Sequence, residues 1–332
     1  MNQVLLRQVL LVLAYSAQFN HPLKLAEIRS RLFVPKTKRN ELADFWWIDE
    51  ADQIKMIILA LRQLEDWGFV ANRGEWWTSV TNKNNLPHGV VGRKFANTKL
   101  AQAHRIALIF GWWPWIRDIY ISGSVAAGAS RIDDDLDFLI VTWPGSLWLT
   151  RPFVTLLAWI LGHRRSWSKE EPNSWCFNIW LESDSLRFPG QAHSLYTAFE
   201  LIQLKQVWGE QHSHLIWSEN AWIYNRLPLF NHQLIHYDSP VRSLSQTPIL
   251  MLGLCQLKTL LAIIGYPLVI MCNYVAYLVQ LVYMRPHQTR EKVGLKFALF
   301  HPRDTRRQIY DDWQREVITV LEFLERKKNY ER

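Results

Sequence analysis

Apolar positions along this chain change period several times, and each change marks an element. From Val4 to about Phe19 they fit a helix, which His21 and Pro22 bring to an end. Leu25 to Leu32 repeats the pattern briefly, with Ile28 and Leu32 on one face. Between Asp49 and Trp67, the residues Ile54, Ile57, Ile58, Leu61 and Leu64 recur at helical spacing until Gly68 stops the run. The period then falls to two. Phe69 to Ala71 and Glu75 to Thr78 flank the turn Asn72-Arg73-Gly74 and predict a small hairpin. Three helices followed by a hairpin predict a winged helix over residues 1–80.

The polar stretch after it contains Pro87 and Gly89 and reads as a linker over residues 81–98. A helix from about Lys99 to Phe110 and a break at Pro114 lead into a strand that ends at Gly123. Arg93, Lys94 and Lys99 read first as surface charges and second as triphosphate contacts. A second strand runs through Phe138 to Val141. Trp143 to Ser146 then turns the chain into a helix over 147–161, and Trp175 to Glu182 predicts a third strand. From Ala192 the pattern is helical: Leu195 to Val207 carries Leu201, Leu204 and Val207 on one face, and Trp217 to Tyr224 and Leu227 to Phe230 continue it. The fold class is therefore α+β, with a mixed β-sheet and its helices over 99–190 and a helical region over 191–332.

Between the first two strands of that core lies the candidate chemistry. Gly123 and Ser124 precede a small-residue segment, Val125 to Ala129, whose free N–H groups suit a phosphate. Asp135 and Asp137 open the next strand two positions apart, so both carboxylates share one side. Mg²⁺ prefers carboxylates, phosphate oxygens and water, which makes this pair a candidate metal site facing a nucleoside triphosphate. The plainer reading is an ordinary β-turn at Gly123 and a solvated acidic loop. Against it, four apolar residues follow Asp137 directly, and a carboxylate carried toward the interior needs a cation or donors. Arg151, one turn into the following helix, reads equally as a bidentate phosphate ligand or as a partner for a local carboxylate.

The combination of Gly123-Ser124, a spacer and Asp135-Leu136-Asp137 on the next strand resembles the signature of the nucleotidyltransferase superfamily related to DNA polymerase β, in its minimal form. The resemblance implies Mg²⁺ or Mn²⁺ held by Asp135 and Asp137, phosphates held by Gly123 and Ser124, and transfer of a nucleoside monophosphate from an NTP to a hydroxyl. The acceptor, whether RNA, protein or a small molecule, is left open. The superfamily often carries a third acid on the neighbouring strand. Asn178 stands at the corresponding place here, with Glu182 as a distant substitute, and an amide can orient a hydroxyl but cannot take its proton. That departure sustains a second expectation, a nucleotide-binding regulatory or adaptor protein of weak or no activity that acts through its winged helix. Helical tails often close over the nucleotide in the superfamily, and Tyr196 and Trp208 are candidates to stack on a base, although core packing is the commoner role for such aromatics. The segments Leu139 to Thr142, Leu147 to Arg151, Cys176 to Asn178 and Phe300 to Pro302 extend the resemblance to uncharacterised bacterial nucleotidyltransferase-like proteins with an N-terminal winged helix.

Composition adjusts this picture in a few places. The formal charge of +8 suits an anionic partner. It does not favour DNA, because residues 1–80 hold ten Lys or Arg against nine Asp or Glu, and Asp52, Glu65 and Asp66 crowd the third helix. Three cysteines without a Cys-x-x-Cys pair argue for a reducing compartment and against structural zinc. Arg7 and Gln8 interrupt the opening apolar run, which suits a core helix of a cytoplasmic protein better than a secretion signal. No charge occurs between Lys258 and Arg285, a run long enough to cross a bilayer. Asn273, Gln280, Gly265 and Pro267 favour two buried helices over 259–284, with membrane association as the less favoured alternative.

Overall fold

The computed structural model describes residues 3–33, 43–80, 85–162, 172–209, 213–231, 266–285 and 291–300, with Trp313, Ile318 and Glu322. Helices α1 (Gln3–Ala17), α2 (Leu25–Arg31), α3 (Ala43–Trp47) and α4 (Glu50–Asp66) precede a hairpin of β1 (Val70–Arg73) and β2 (Trp76–Ser79). Asp49 caps α4 by accepting from the Asp52 amide, and Gly68 ends it in the left-handed region at φ +76°. Helix α5 (Asn85–Gly111) then runs through most of the stretch expected to be a linker. Pro87 falls in its first turn, where a missing N–H costs nothing, so a residue that signals a break in sequence instead starts the helix.

The central sheet has six strands in the order β6-β3-β4-β5-β8-β7. Strand β3 (Ile116–Ile121) is followed by the short α6 (Gly123–Ala127) and by β4 (Leu136–Thr142), which returns antiparallel to it. Helix α7 (Leu147–Ile160) crosses over to β5 (Trp175–Glu182), which lies parallel to β4. Helix α8 (Leu195–Ile202) leads to β6 (Lys205–Trp208), antiparallel to β3. Residues 195–207, expected as one amphipathic helix, are thus split. Leu204 and Val207 still face the interior, but as part of an edge, because pairing with β3 satisfies a backbone that an isolated amphipathic pattern would have coiled. Helices α9 (Ser213–Glu219), α10 (Trp222–Arg226) and α11 (Tyr266–Met284) and the hairpin of β7 (Lys292–Gly294) and β8 (Phe297–Leu299) complete the described elements. The architecture is mixed α+β.

Strand β4 is apolar on both faces because both are covered. Leu139 and Val141 join one core with Leu5, Val9, Ile57 and Leu61 of the N-terminal helices and with Phe199 of α8. Phe138 and Ile140 join the other with Ala103 and Phe110 of α5 and with Trp148 and Val154 of α7. The N-terminal module therefore shares the core on one face of the sheet with α8 and the helices that follow it. Arg93 on α5 reinforces that attachment, donating to both carboxylate oxygens of Glu27 at 2.9 Å and lying 4.2 Å over the Trp76 ring.

Helix α11 packs across the start of α7, and only the stripe facing α7 is covered. Asn273 is buried there, while Leu268, Val275 and Val282 are exposed, contrary to the expected burial of 259–284. Residues 259–265 of that expectation lie outside the described residues. Among the described residues, α11 is the one helix long and apolar enough to cross a membrane.

Candidate active site

The β3 to β4 connection is built by its own polar side chains. The Ser122 amide donates to the Asp137 carbonyl at 2.9 Å, and Gly123 then takes φ +66°. A side chain there would run into the Asp137 carboxylate, so glycine serves both the backbone turn and the close approach. Helix α6 spans only five residues and ends at Gly128, φ +80°. Asp134 closes the returning loop by accepting from the Ser124 hydroxyl at 2.7 Å and from the Arg131 amide at 2.9 Å. Lys99, buried on α5, donates to the Asp134 carbonyl and, at 2.7 Å, to Asn173 Oδ1. Burial holds the Lys99 ammonium below its ordinary range, and the carboxylates of Asp134, Asp135 and Asp133 oppose that. This lysine anchors the acidic loop.

Strand β5 orients the two aspartates. Asp135 accepts from the Ser174 amide at 3.1 Å through Oδ1 and from the Cys176 thiol at 3.5 Å through Oδ2. Asp137 Oδ1 accepts from Asn178 Nδ2 at 2.6 Å. The β4 to β5 register slips between Phe138 and Leu139, leaving Asn178 as the extra residue, and a bulge of this kind re-aims a side chain. Asn178 therefore touches Asp137 from the neighbouring strand.

Gly123, Ser124, Asp133, Asp134, Asp135 and Asp137 line a cavity of about 620 Å³. Its opposite wall comes from α1 and α8, with Tyr15, Phe19, Tyr196 and Phe199. Asn178 is in contact with the cavity only through Asp137. Arg151 is not brought here. It donates to Gln280 at 2.8 Å and lies 4.4 Å from the centre of the Phe300 ring. Its closeness in sequence was misleading, because strand β4 carries the chain about 20 Å from the aspartates before α7 begins. Glu182 is equally remote, at the far end of β5, where its carboxylate accepts from the Ser146 and Leu147 amides. Burial raises its pKa, and backbone donors there oppose the rise. Trp208 packs against Gly111 rather than into the cavity.

Three side chains that the sequence did not single out, Glu200, Gln203 and Arg31, complete the site. Glu200 on α8 is half-buried in the cavity wall, and its Oε2 accepts from the Gly123 amide at 3.1 Å. Burial pushes its pKa up, while the Gly123 amide, Arg31 and Gln203 pull it back. Its Oε1 accepts from Gln203, whose own oxygen accepts from Arg31 Nη2 at 3.2 Å. A buried cation of the N-terminal module is thus linked through α8 to the glycine turn. One cue existed: Glu200 is the sole charge in the apolar run Leu195 to Ile202.

Among the described residues no three His, Cys, Asp or Glu side chains gather at one point, and the donor set here is the aspartate pair. Asp135 and Asp137 offer oxygen only, since the one nearby sulfur, Cys176, is turned to Asp135 as a donor, and this suits Mg²⁺ or Mn²⁺ better than a thiophilic metal. No family model, no curated protein and no solved structure matches the chain.

Proposed function

We propose that this protein is a cytoplasmic, metal-dependent nucleotidyltransferase that moves a nucleoside monophosphate from an NTP to a hydroxyl acceptor on RNA, protein or a small molecule. The observation that carries the reading is the shared cavity of Gly123, Ser124, Asp135 and Asp137, with both carboxylates steadied from β5. In it the minimal nucleotidyltransferase fold is the β3-α6-β4-α7-β5 unit, and the N-terminal module is a winged helix used as a cavity wall rather than to read DNA.

Asp135 and Asp137 would hold Mg²⁺ or Mn²⁺, which when bound neutralises charge on the transferring phosphate and its leaving group. The bare edge of Gly123 lets the Asp137 carboxylate lie against the turn. Asn178 fixes which Asp137 oxygen faces the cavity by donating to the other. Tyr15, Tyr196 and Phe199 give a base aromatic surface on which to stack. A phosphate oxygen that reaches the Gly123 amide takes the place of the Glu200 carboxylate, and one that reaches Ser124 competes with Asp134. Binding therefore includes rearrangement of two acids.

Calorimetry with Mg·ATP tests this. The Asp135→Ala, Asp137→Ala double variant should lose measurable binding while keeping its circular dichroism, and unchanged affinity in that variant refutes the assignment. Asn178 in place of an acid, together with the Glu200 hold on Gly123, favours a second reading: nucleotide binding with little or no turnover, in a regulatory or adaptor role. Labelled NTP incubated with the protein and cell extract separates the two, since only an active enzyme labels an acceptor.

A further inference from the structure

The cavity leaves unexplained an apolar surface on α11. Its inner stripe is fixed to the protein by polar bonds. Asn273 Oδ1 accepts from the Trp148 and Leu149 amides at 2.7 and 3.2 Å, Gln280 Nε2 donates to the Trp148 carbonyl at 2.6 Å, and the Tyr266 hydroxyl donates to the Pro144 carbonyl at 2.7 Å. Its outer stripe bears Leu268, Met271, Val275, Val279 and Val282, with Val275, Val279 and Val282 exposed to 56, 64 and 67%. Tyr274 and Tyr283 flank this stripe, and their hydroxyls are the only side-chain polar groups on the exposed positions between Leu268 and Tyr283.

Three observations identify what this face meets. First, a protein partner needs a hydrogen bond for every 100–200 Å² or so of contact, and a face this poor in polar groups offers almost none. Second, the apolar character continues in sequence: residues 249–284 contain one charged residue, Lys258. Third, the face ends in positive charge. Exposed Arg285 directly follows the helix, Arg290 and Lys292 come next in sequence with Glu291 the sole acid among them, and the whole chain carries +8, while Lys296 is held by Asp184 at 2.6 Å. Apolar surface bordered by cations and tyrosines matches the order of layers in an anionic bilayer, acyl chains below phosphate headgroups. The bonds from Asn273 and Gln280 tie α11 to a core helix, so it lies along the surface and does not cross.

We propose that the outer face of α11 seats the protein on an anionic lipid membrane, in plane. Flotation of the full chain with vesicles of phosphatidylglycerol and phosphatidylcholine tests it. Wild type should float with them, and a variant carrying Val275→Glu, Val279→Glu and Val282→Glu should lose about a hundredfold in apparent partitioning. Vesicles of phosphatidylcholine alone should bind about tenfold more weakly, and added salt should remove that difference. The three positions are exposed, so the variant should melt with wild type, and the corresponding Ser variant, which adds no charge, should give an intermediate loss. Failure of wild type to float overturns the proposal and points to cover by residues 232–265 of the same chain. Equal flotation of wild type and both variants overturns it as well. A wild-type dimer by light scattering that the Glu variant disperses, without flotation, assigns the face to a second copy instead.

Discussion

Gly123→Ala probes the closest contact in the site, and its cost can be worked from two separate terms. At φ +66° a Cβ carries a backbone strain of about 1 kcal/mol. It also runs into the Asp137 carboxylate, which must leave its present position and with it the 2.6 Å bond from Asn178, a loss of about 2 kcal/mol for a hydrogen bond to a charged group. Gly68→Ala supplies the control, since Gly68 has φ +76° and an added methyl group there would meet nothing within 4 Å, leaving strain alone. Urea unfolding of the two variants should therefore show Gly123→Ala to be about 3 kcal/mol less stable than wild type and Gly68→Ala about 1 kcal/mol. Mg·ATP affinity should fall in the first and hold in the second. Equal destabilisation would refute the argument that glycine at 123 is required by the carboxylate and not only by the turn.

Three further outcomes follow from buried groups. His21, whose Nε2 has no hydrogen-bond partner among the described residues, is pushed down to about 3 by burial, with Arg31, Arg93 and Lys205 adding to the effect and Glu27 opposing it. The folded state then binds fewer protons than the unfolded one below the ordinary value of 6.5, so stability is full above that pH and lost as pH falls toward 3. By pH 5 the loss is about 2 kcal/mol, and urea curves of wild type and His21→Gln at pH 7.5 and 5 should differ in their pH dependence by that amount. Asn178→Asp sets a second carboxylate against Asp137 Oδ1 and should lower the melting temperature in EDTA, with recovery in MgCl₂; a melt indifferent to Mg²⁺ would count against a cation at this place. Asn273→Leu strips the acceptor from the Trp148 and Leu149 amides and should cost about 2 kcal/mol or more, read by thermal melting.

Local signals in the sequence identified much of the sheet's centre. Trp175 to Glu182 is β5 from end to end, and Phe138 to Val141 lies within β4, because each is a short apolar run bounded by turn residues. Gly123, Ser124, Asp135 and Asp137 come to one cavity because they sit at the two ends of a single tight connection. Long-range pairing was beyond the pattern. Strand β6 looks helical until β3 is placed beside it, and the first half of α5 hides in a segment whose Pro87 and Gly89 resemble a joint, while its second half, from Lys99 to Phe110, was legible as a helix. Arg151 fails because a strand moves its residues apart faster than a helix of the same length, so nearness in sequence to the aspartates meant nearness to the wrong end of the sheet, whereas Glu182 lies at the far end of β5, as its distance along the strand foretold. Arg31 lies far in sequence from Glu200 and Gln203 at the end of α8, and its linkage to them exists only in the folded chain.

The burial of α1 bears on how the molecule can be divided. Twelve of its fifteen residues are inaccessible, and its C-terminal end supplies Tyr15 and Ser16 to the cavity. Cutting the chain near residue 81 would remove α1 and α4 from the core that Leu139 and Val141 share and open the pocket on one side. Trimmed versions of this protein would report on a damaged sheet, so the two halves have to be expressed, assayed and interpreted as one body.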